Sequence, residues 1–235
     1  MTIKKNGIKW PTPSNIISDV NDKSHGLIPW ATGAVCTYIM ENCEQPWLDK
    51  KESSDAYIVF PDQLKKARWY YKDISTRALD VGSAVHDAIR MYLASGVEPS
   101  DPDDQVLAAF VAFLEFFDQH KMKTIKTEER MFLNDWSGQF DWYGEFNEKL
   151  YILDWKSSKD FYREMRIQIA AYRYGWSSLG NDVEGSGCVR LDKESGLPFF
   201  KDYSKFYESD HREFLLSKEL YFARHPRIAA QFKPF

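Results

Sequence analysis

The order of apolar patterns along this chain predicts an α/β fold, with a central mixed β-sheet flanked by helices and a helical N-terminal portion. Helical periodicity dominates residues 1–122. Three runs with strand patterns follow at 124–133, 139–146 and 149–156, separated by short turns as in an antiparallel meander. A helix, a strand pair and a final helix come next. This order favours one α/β domain over 1–235, in which 1–122 is mainly helical and 123–235 carries the sheet.

The helical portion is expected to begin after an irregular stretch. Residues 1–26 contain two prolines and a turn-rich segment, and we expect them to be irregular. A helix is predicted over 27–43, and 45–54 forms a polar break. Pro61 suits the first position of a helix that runs to about Leu79. Asp80 is then expected to cap a second helix that ends near Gly96.

Three further helices are predicted around the strands. Asp103 or Asp104 is expected to open a phenylalanine-rich helix over 106–120. The helix over 161–179 has an apolar stripe of Met165, Ile169, Tyr172 and Trp176. Segments 188–191 and 199–203 are predicted to pair as strands, and 207–224 to form a last amphipathic helix.

Composition and charge limit the classes of protein that the sequence suits. Hydrophobic residues make up 43% of the 235 residues, enough for a sizeable core, but no apolar run of about 18 residues predicts a membrane span. The N-terminus lacks the apolar region of a signal peptide. The three cysteines are too few and too scattered for a disulfide framework, which favours a reduced cytosolic protein. A net charge of −4 argues against a general nucleic-acid coat protein but is compatible with a nuclease.

Two carboxylates and a lysine on the predicted strands indicate the chemistry. Asp154 and Lys156 lie two residues apart on one strand and therefore share a face, with Leu153 and Trp155 on the other. Asp141, on the adjoining strand, could meet them. Two carboxylates and an ammonium group suit a divalent cation and a phosphate, as metal-assisted phosphodiester hydrolysis requires.

A bare Asp-x-Lys pattern is weak, because the chain contains a second one at 49–51 without a strand around it. Gly138 and Asp141 precede Asp154 by the length of a hairpin. A glycine in a strand allows a backbone or ligand to approach closely. Gln168 and Tyr172 share a face of the next helix.

Two further side chains could join the site. His86 lies on an upstream helix beside small residues, although a lone histidine on a helix is more often structural. Either Glu128 or Glu129 should face the site from the preceding strand. We expect Trp142 and Trp155 to be packing residues.

These motifs, in this order, resemble the RecB-like exonuclease branch of the PD-(D/E)XK nuclease superfamily, and phage-type members related to mitochondrial genome maintenance exonucleases. The matching segments are Pro13–Ser18, Leu27–Ala31, Gly82–His86, Glu128, Gly138–Asp141, Asp154–Lys156 and Gln168–Tyr172. The alignment of the strand favours Glu128 over Glu129. The resemblance implies a restriction-endonuclease-like core. Relatives with an iron–sulfur cluster use four cysteines, which this chain lacks, so no cluster is expected.

The resemblance also implies roles for the site residues. Mg²⁺ or Mn²⁺ would be bound by Asp141, Asp154 and His86, with the Trp155 carbonyl as a backbone ligand and Glu128 as an additional acid. Catalysis would then depend on three further side chains. Lys156 would position the attacking hydroxide or stabilise phosphate oxygens, Gln168 would orient water or substrate, and Tyr172 would contact DNA or brace Lys156.

Basic residues cluster in two places that could follow a phosphate backbone. The first group lies on one helix and comprises Lys65, Lys66, Arg68 and Lys72; a solvated helix face is an equally good interpretation of it. The second group lies near the motif helix and comprises Lys159, Arg163, Arg166 and Arg173. Aromatic residues at 69–71 could stack on bases, although packing in the core is the favoured interpretation.

The expected substrate is DNA with a free end, in single-stranded form as one option, in the cytoplasm of a bacterium or a phage-infected cell. A structure-specific endonuclease with the same fold is the first alternative. A DNA- or partner-binding module without catalysis is the second, and the presence of Asp141, Asp154 and Lys156 argues against it. A nucleotide-binding protein lacks support, because the chain has no glycine-rich phosphate loop.

Overall fold

The computed structural model describes residues 3–5, 7–44 and 57–232, which form two compact units. One unit is the helical segment Asp22–Asp80. The other comprises the chain up to Asn21 and from Val81 onward, and it contains the sheet. The predicted polar break at 45–54 and the second Asp-x-Lys pattern at 49–51 lie outside the described residues. No helix in the described part of the chain combines the length and apolarity needed to cross a membrane.

The helical unit is built from helix α2 (Ser24–Asn42) and the first part of helix α3 (Pro61–Ser95). The two helices are joined by aromatic contacts, such as the edge-to-face pair of Tyr38 and Tyr70 with ring centroids 5.2 Å apart. The predicted helix over 27–43 is therefore confirmed, as is the start at Pro61.

The prediction of two helices over 61–79 and 80–96 was wrong, because α3 is continuous. Asp80 is a poor helix former but does not break a helix, and neither does a single glycine at position 82. The later turns of α3 are stabilised by burial, since Val85 and Ile89 pack in the core of the sheet unit. The helix ends before Gly96, whose φ of +71° suits a glycine there.

The start of the chain is structured, so the prediction that 1–26 is irregular was wrong. Strands β1 (Ile3–Lys5) and β2 (Ile8–Trp10) pair antiparallel, and helix α1 (Pro13–Val20) follows. Pro13 occupies the first helical position, where its missing N–H costs nothing, and the Thr12 side chain caps the helix. Ile16 and Ile17 are buried and fix α1 to the core.

The remaining elements agree with the predicted order, except that a further short helix follows the helix that was predicted to be the last. They are helix α4 (Asp104–Gln119), strands β3 (Lys123–Phe132), β4 (Ser137–Phe146) and β5 (Lys149–Lys156), helix α5 (Arg163–Ser178), strands β6 (Gly185–Leu191) and β7 (Pro198–Asp202), and helices α6 (Tyr207–Arg224) and α7 (Pro226–Ala229). Asp103 caps α4 by accepting from the Gln105 amide. The predicted α/β class with a central mixed sheet flanked by helices is confirmed.

The five strands form one mixed sheet in the order β3-β4-β5-β6-β7. Strands β3, β4 and β5 are antiparallel, β5 and β6 are parallel, and β7 is antiparallel to β6. Helix α5 makes the crossover that a parallel pair requires. The motif strands β4 and β5 therefore lie in the interior of the sheet.

The two faces of the sheet carry different cores. One face packs against α4 and the Val81–Ser95 part of α3, with Phe113, Trp142 and Trp155 among its buried residues. The other face packs against α5, whose predicted stripe of Met165, Ile169, Tyr172 and Trp176 is buried as expected. The predicted packing role of Trp142 and Trp155 is also confirmed.

Candidate functional site

The β4–β5 ladder opens at the two aspartates. Strand pairing runs from Phe146–Lys149 to Trp142–Leu153 and stops there. Beyond that pair, the Oδ2 atom of Asp141 accepts a hydrogen bond of 2.7 Å from the backbone amide of Trp155. A side chain thus replaces a backbone partner where the strands separate. Asp141 and Asp154 are only 8% and 3% exposed, so two carboxylates are buried at this opening.

His86 and Glu128 approach Asp141 from neighbouring elements. The Nδ1 atom of His86, on α3, lies 3.4 Å from Oδ1 of Asp141 and 3.8 Å from Oε1 of Glu128. Glu128, on β3, has a φ of +51°, a conformation that is strained for a non-glycine residue. It also accepts a hydrogen bond from the Gln139 side chain. Glu129 instead forms an ion pair with Lys126, which supports the choice of Glu128.

Lys156 connects the opening to α5. Its ammonium group contacts the Asp154 carboxylate and donates to Oε1 of Gln168 at 3.3 Å. Nε2 of Gln168 then donates to the hydroxyl of Tyr172 at 2.7 Å. Leu153 belongs to the opposite core, so the alternation expected along β5 is observed. The structure thus joins Asp154, Lys156, Gln168 and Tyr172 into one chain of polar contacts.

Two glycines of the motifs allow this packing. A Cβ atom on Gly138 would lie 3.0 Å from Cε1 of Tyr172, so the ring occupies the space that a side chain would need. A Cβ on Gly82 would lie 3.3 Å from the hydroxyl of Ser157, the residue after Lys156. Small residues therefore bring α3 and α5 close to the end of β5.

Burial and charge set the protonation states. Burial is the largest effect on Asp154 and raises its pKa to about 7, although the Lys156 ammonium opposes this. Burial also acts on Asp141, but the charge and hydrogen bond of His86 hold the pKa of Asp141 below its usual value. Attraction to Asp141 raises the pKa of His86 to about 11. Burial disfavours the charged form of Lys156, yet Asp154 raises the Lys156 pKa above its usual value. Positive charge is thus held next to both aspartates.

The donor set fits a divalent cation. His86, Glu128 and Asp141 each offer a ligand atom, and these atoms lie within 4.8 Å of one another. Carboxylate oxygens suit Mg²⁺ and Mn²⁺, and an imidazole favours Mn²⁺. Since a ligating imidazole must be neutral, binding would release the proton from His86. Asp154, which the sequence predicted as a ligand, lies outside this group of three, and its carboxylate instead contacts the Lys156 ammonium.

The basic residues predicted near α5 have partners of their own. Lys159 is exposed and lines a cavity of about 220 Å³ with Ser157 and Ser158, directly after Lys156. Arg163 forms an ion pair of 2.8 Å with Glu213 of α6. Arg166 makes two hydrogen bonds, of 3.1 and 2.6 Å, to the buried Asp210. These bonds fix α5 to α6, a structural role that the sequence did not indicate.

Within the helical unit, two members of the basic group on α3 lie close to the ring of an exposed tryptophan, Trp69. Lys65, Lys66 and Arg68 are exposed, and Lys65 lies 3.4 Å from Asp62. The prediction that the aromatic residues at 69–71 pack in the core was wrong for Trp69, which is 46% exposed. Lys72 lies 4.1 Å above the Trp69 ring, and Arg68 lies 5.2 Å from it.

Sequence reasoning missed three neighbours of the site as participants. Ser14, on α1, accepts a hydrogen bond of 3.1 Å from Nε2 of Gln168. Gln139 donates to Glu128, and Cys188 pairs with Asp154 across β5 and β6. Ser14 lies in a segment that contributed to the resemblance, so a signal for it existed. Nothing in the sequence pattern singled out Cys188.

No family model matches the chain, and neither does any curated protein. Among solved structures, a candidate exonuclease from Eubacterium rectale is 18% identical with a TM-score of 0.41, over 65% of this chain and 66% of that one. A phage-related exonuclease from Haemophilus somnus 129PT is 12% identical with a TM-score of 0.35, over 82% and 94%. SSO0001 is 13% identical with a TM-score of 0.28, over 58% and 74%. Structural similarities with TM-scores this low say nothing about the function of this protein.

Proposed function

We propose that the protein is a divalent-metal-dependent deoxyribonuclease that hydrolyses phosphodiester bonds at DNA ends. One observation carries the proposal. Three ligand side chains, His86, Glu128 and Asp141, converge where β4 and β5 separate, and the Lys156 ammonium lies on the same opening beside Asp154. A cation and a fixed positive charge at one point are what phosphodiester hydrolysis needs.

The proposed cation is Mg²⁺ or Mn²⁺, held by Asp141, Asp154, Glu128 and His86, with the Trp155 carbonyl as a backbone ligand. When bound, it would lower the pKa of a water molecule and offset negative charge on the phosphate.

Lys156 is the side chain that would act on the reacting group. Its raised pKa keeps it protonated, so it would serve as an electrostatic donor to phosphate oxygens and not as a general base. Gln168 fixes the position of the ammonium through Oε1. Burial raises the pKa of Tyr172, which therefore stays neutral and braces Gln168.

DNA with a free end is the proposed substrate, and the surface of the helical unit favours a single strand. Trp69 is 46% exposed with Arg68 and Lys72 close to its ring, and aromatic rings beside cations suit stacked bases and phosphates. Lys65, Lys66 and Lys159 are the proposed phosphate contacts. Arg163 and Arg166 would contact phosphate only by giving up their ion pairs with Glu213 and Asp210.

We further propose that the whole chain works as one PD-(D/E)XK nuclease domain of the RecB-like branch. Its place would be the cytoplasm of a bacterium or a phage-infected cell, in recombination, repair or genome processing. A structure-specific endonuclease is the alternative within the same chemistry. An inactive binding module is the alternative outside it, and the retained Asp141, Asp154 and Lys156 count against it.

The test compares end-labelled linear DNA, single-stranded and duplex, with a closed circle, each with and without Mn²⁺. Metal-dependent release of label from the linear DNA, with the circle intact, is expected. Cutting of the circle would favour the endonuclease. Binding without cutting under any metal would overturn the catalytic proposal in favour of the module.

A further inference from the structure

We infer that Ser14 is a positioning residue that fixes the side-chain amide of Gln168, and through it the ammonium group of Lys156. This inference rests on the proposed nuclease function. Ser14 lies 154 residues before Gln168 in the chain, yet its Oγ atom accepts a hydrogen bond of 3.1 Å from Nε2 of Gln168. The Ser14 hydroxyl is therefore linked to the Lys156 ammonium, the group proposed to contact the phosphate, through a single intervening side chain, that of Gln168.

The orientation of the Gln168 amide matters because its two ends differ chemically. Oε1 accepts from Lys156, whereas Nε2 is a donor. A rotated amide would present hydrogens to the Lys156 ammonium, which has no acceptor. The Lys156 ammonium therefore selects the orientation with Oε1 facing it, and the hydroxyls of Ser14 and Tyr172 hold the Nε2 end in place by accepting its two hydrogens.

Helix α1 is fixed at both ends, so it can hold Ser14 in place. At its start, the amide of Ser137 at the head of β4 donates to the Pro11 carbonyl at 2.9 Å. At its end, His225 lies 2.9 Å from Asp19, and Arg224 donates to the Asp19 carbonyl at 2.6 Å. Between them Ile16 is fully buried. The Ser14 hydroxyl is thus presented by a rigid element and not by a mobile tail.

Ser18 provides a matched control on the same helix. It is also exposed, but its hydroxyl donates to the Asn15 carbonyl within α1. Ser14→Ala should lower kcat for Mn²⁺-dependent cleavage of end-labelled single-stranded DNA about threefold to tenfold, the value of one hydrogen bond, with KM unchanged. Ser14→Thr should restore most of the activity, and Ser18→Ala should match the wild type.

A double-mutant cycle separates positioning from a general structural role. In a Gln168→Ala background, Ser14→Ala should have no further effect on kcat, because its partner is gone. An equal loss in both backgrounds would overturn the inference, as would wild-type kcat in Ser14→Ala.

A readout that does not need catalysis distinguishes failure of the inference from failure of the proposed function. The Gln168 side-chain amide can be assigned in ¹⁵N–¹H spectra by its loss in Gln168→Ala. Ser14→Ala should shift these resonances and speed their hydrogen exchange, and Ser18→Ala should not. Unchanged resonances in Ser14→Ala would overturn the inference. Absence of cleavage by the wild type together with the expected shifts would instead defeat the proposed function alone.

Discussion

The two ends of the β4–β5 hairpin have opposite designs. At the turn, Phe146 pairs with Lys149, and Asn147 and Glu148 both have positive φ, as a tight two-residue connection requires. The backbone there satisfies its own hydrogen bonds. At the other end the ladder stops after Trp142–Leu153, and Asp141 accepts the amide that would otherwise lack a strand partner.

This difference shows where the folded structure contains energetically unfavourable features. The turn end buries the apolar Phe146 and leaves Lys149 exposed, as local rules for strands dictate. The open end buries Asp141 and Asp154, which burial disfavours in their charged forms. Backbone strain at Glu128 is a further unfavourable feature. Buried carboxylates and backbone strain are disfavoured by local sequence preferences, and where they occur together they are typical of functional sites.

The largest effect on cleavage is expected at Lys156, and Lys149 at the other end of β5 is the control. Lys156→Ala should reduce DNA cleavage about 10²–10³-fold or more, since a fixed donor to the phosphate is lost, while DNA binding persists. Lys149→Ala, at the exposed end of the same strand, should cleave at the wild-type rate. Initial cleavage rates and fluorescence anisotropy with labelled DNA measure both quantities. Near-normal cleavage by Lys156→Ala would contradict the assignment.

Asp141 and Glu145 allow the same contrast along β4. Mn²⁺ at 100 times its Kd should stabilise the wild type by about 2.7 kcal/mol, seen as a rise in Tm. Asp141→Asn should abolish this rise, because a direct ligand is lost. Glu145→Gln, which only breaks the surface pair with Lys123, should keep it. A full Mn²⁺ response in Asp141→Asn would show that the cation binds elsewhere.

The buried Asp154 predicts a dependence of stability on pH. Its folded pKa of about 7 lies above the ordinary value of 3.8, so the folded state holds a proton that the unfolded state has lost. The resulting stabilisation is complete below pH 4 and disappears as pH rises through 7. Relative to Asp154→Asn, the metal-free wild type should therefore lose up to about 4 kcal/mol over this interval.

Denaturant unfolding of both proteins between pH 4 and 8 measures this difference. Mn²⁺ should remove it for the wild type, because the cation favours the charged carboxylate. Parallel pH curves for the two metal-free proteins would show that Asp154 has an ordinary pKa.

A smaller effect is expected at Gly138. A methyl group there would press on the Tyr172 ring, so Gly138→Ala should destabilise the fold by about 1–3 kcal/mol and lower cleavage. Gly33→Ala is the control, because its Cβ would meet nothing within 4 Å in helix α2. It should be neutral or slightly stabilising. Equal Tm changes in the two variants, measured by calorimetry, would argue against the close contact.

The motif region was readable from sequence because its signals are local. Alternation along β5 predicted the shared face of Asp154 and Lys156, and helical spacing predicted that of Gln168 and Tyr172. The continuity of α3 could not be predicted, since Asp80 suits a helix cap but is also tolerated in a helix interior. The structure of α1 was missed because Pro13 was interpreted as irregular and not as a first helical residue. The contact between Ser14 and Gln168 depends on tertiary packing, which no local pattern specifies.

Crystals of the protein soaked in Mn²⁺ offer the most direct test of the open end as a cation site. We expect an anomalous peak about 2.0–2.3 Å from an oxygen of Asp141 and from ligand atoms of His86, Glu128 or Asp154. Anomalous density elsewhere, with Asp141 still bonded only to the Trp155 amide and His86, would contradict it.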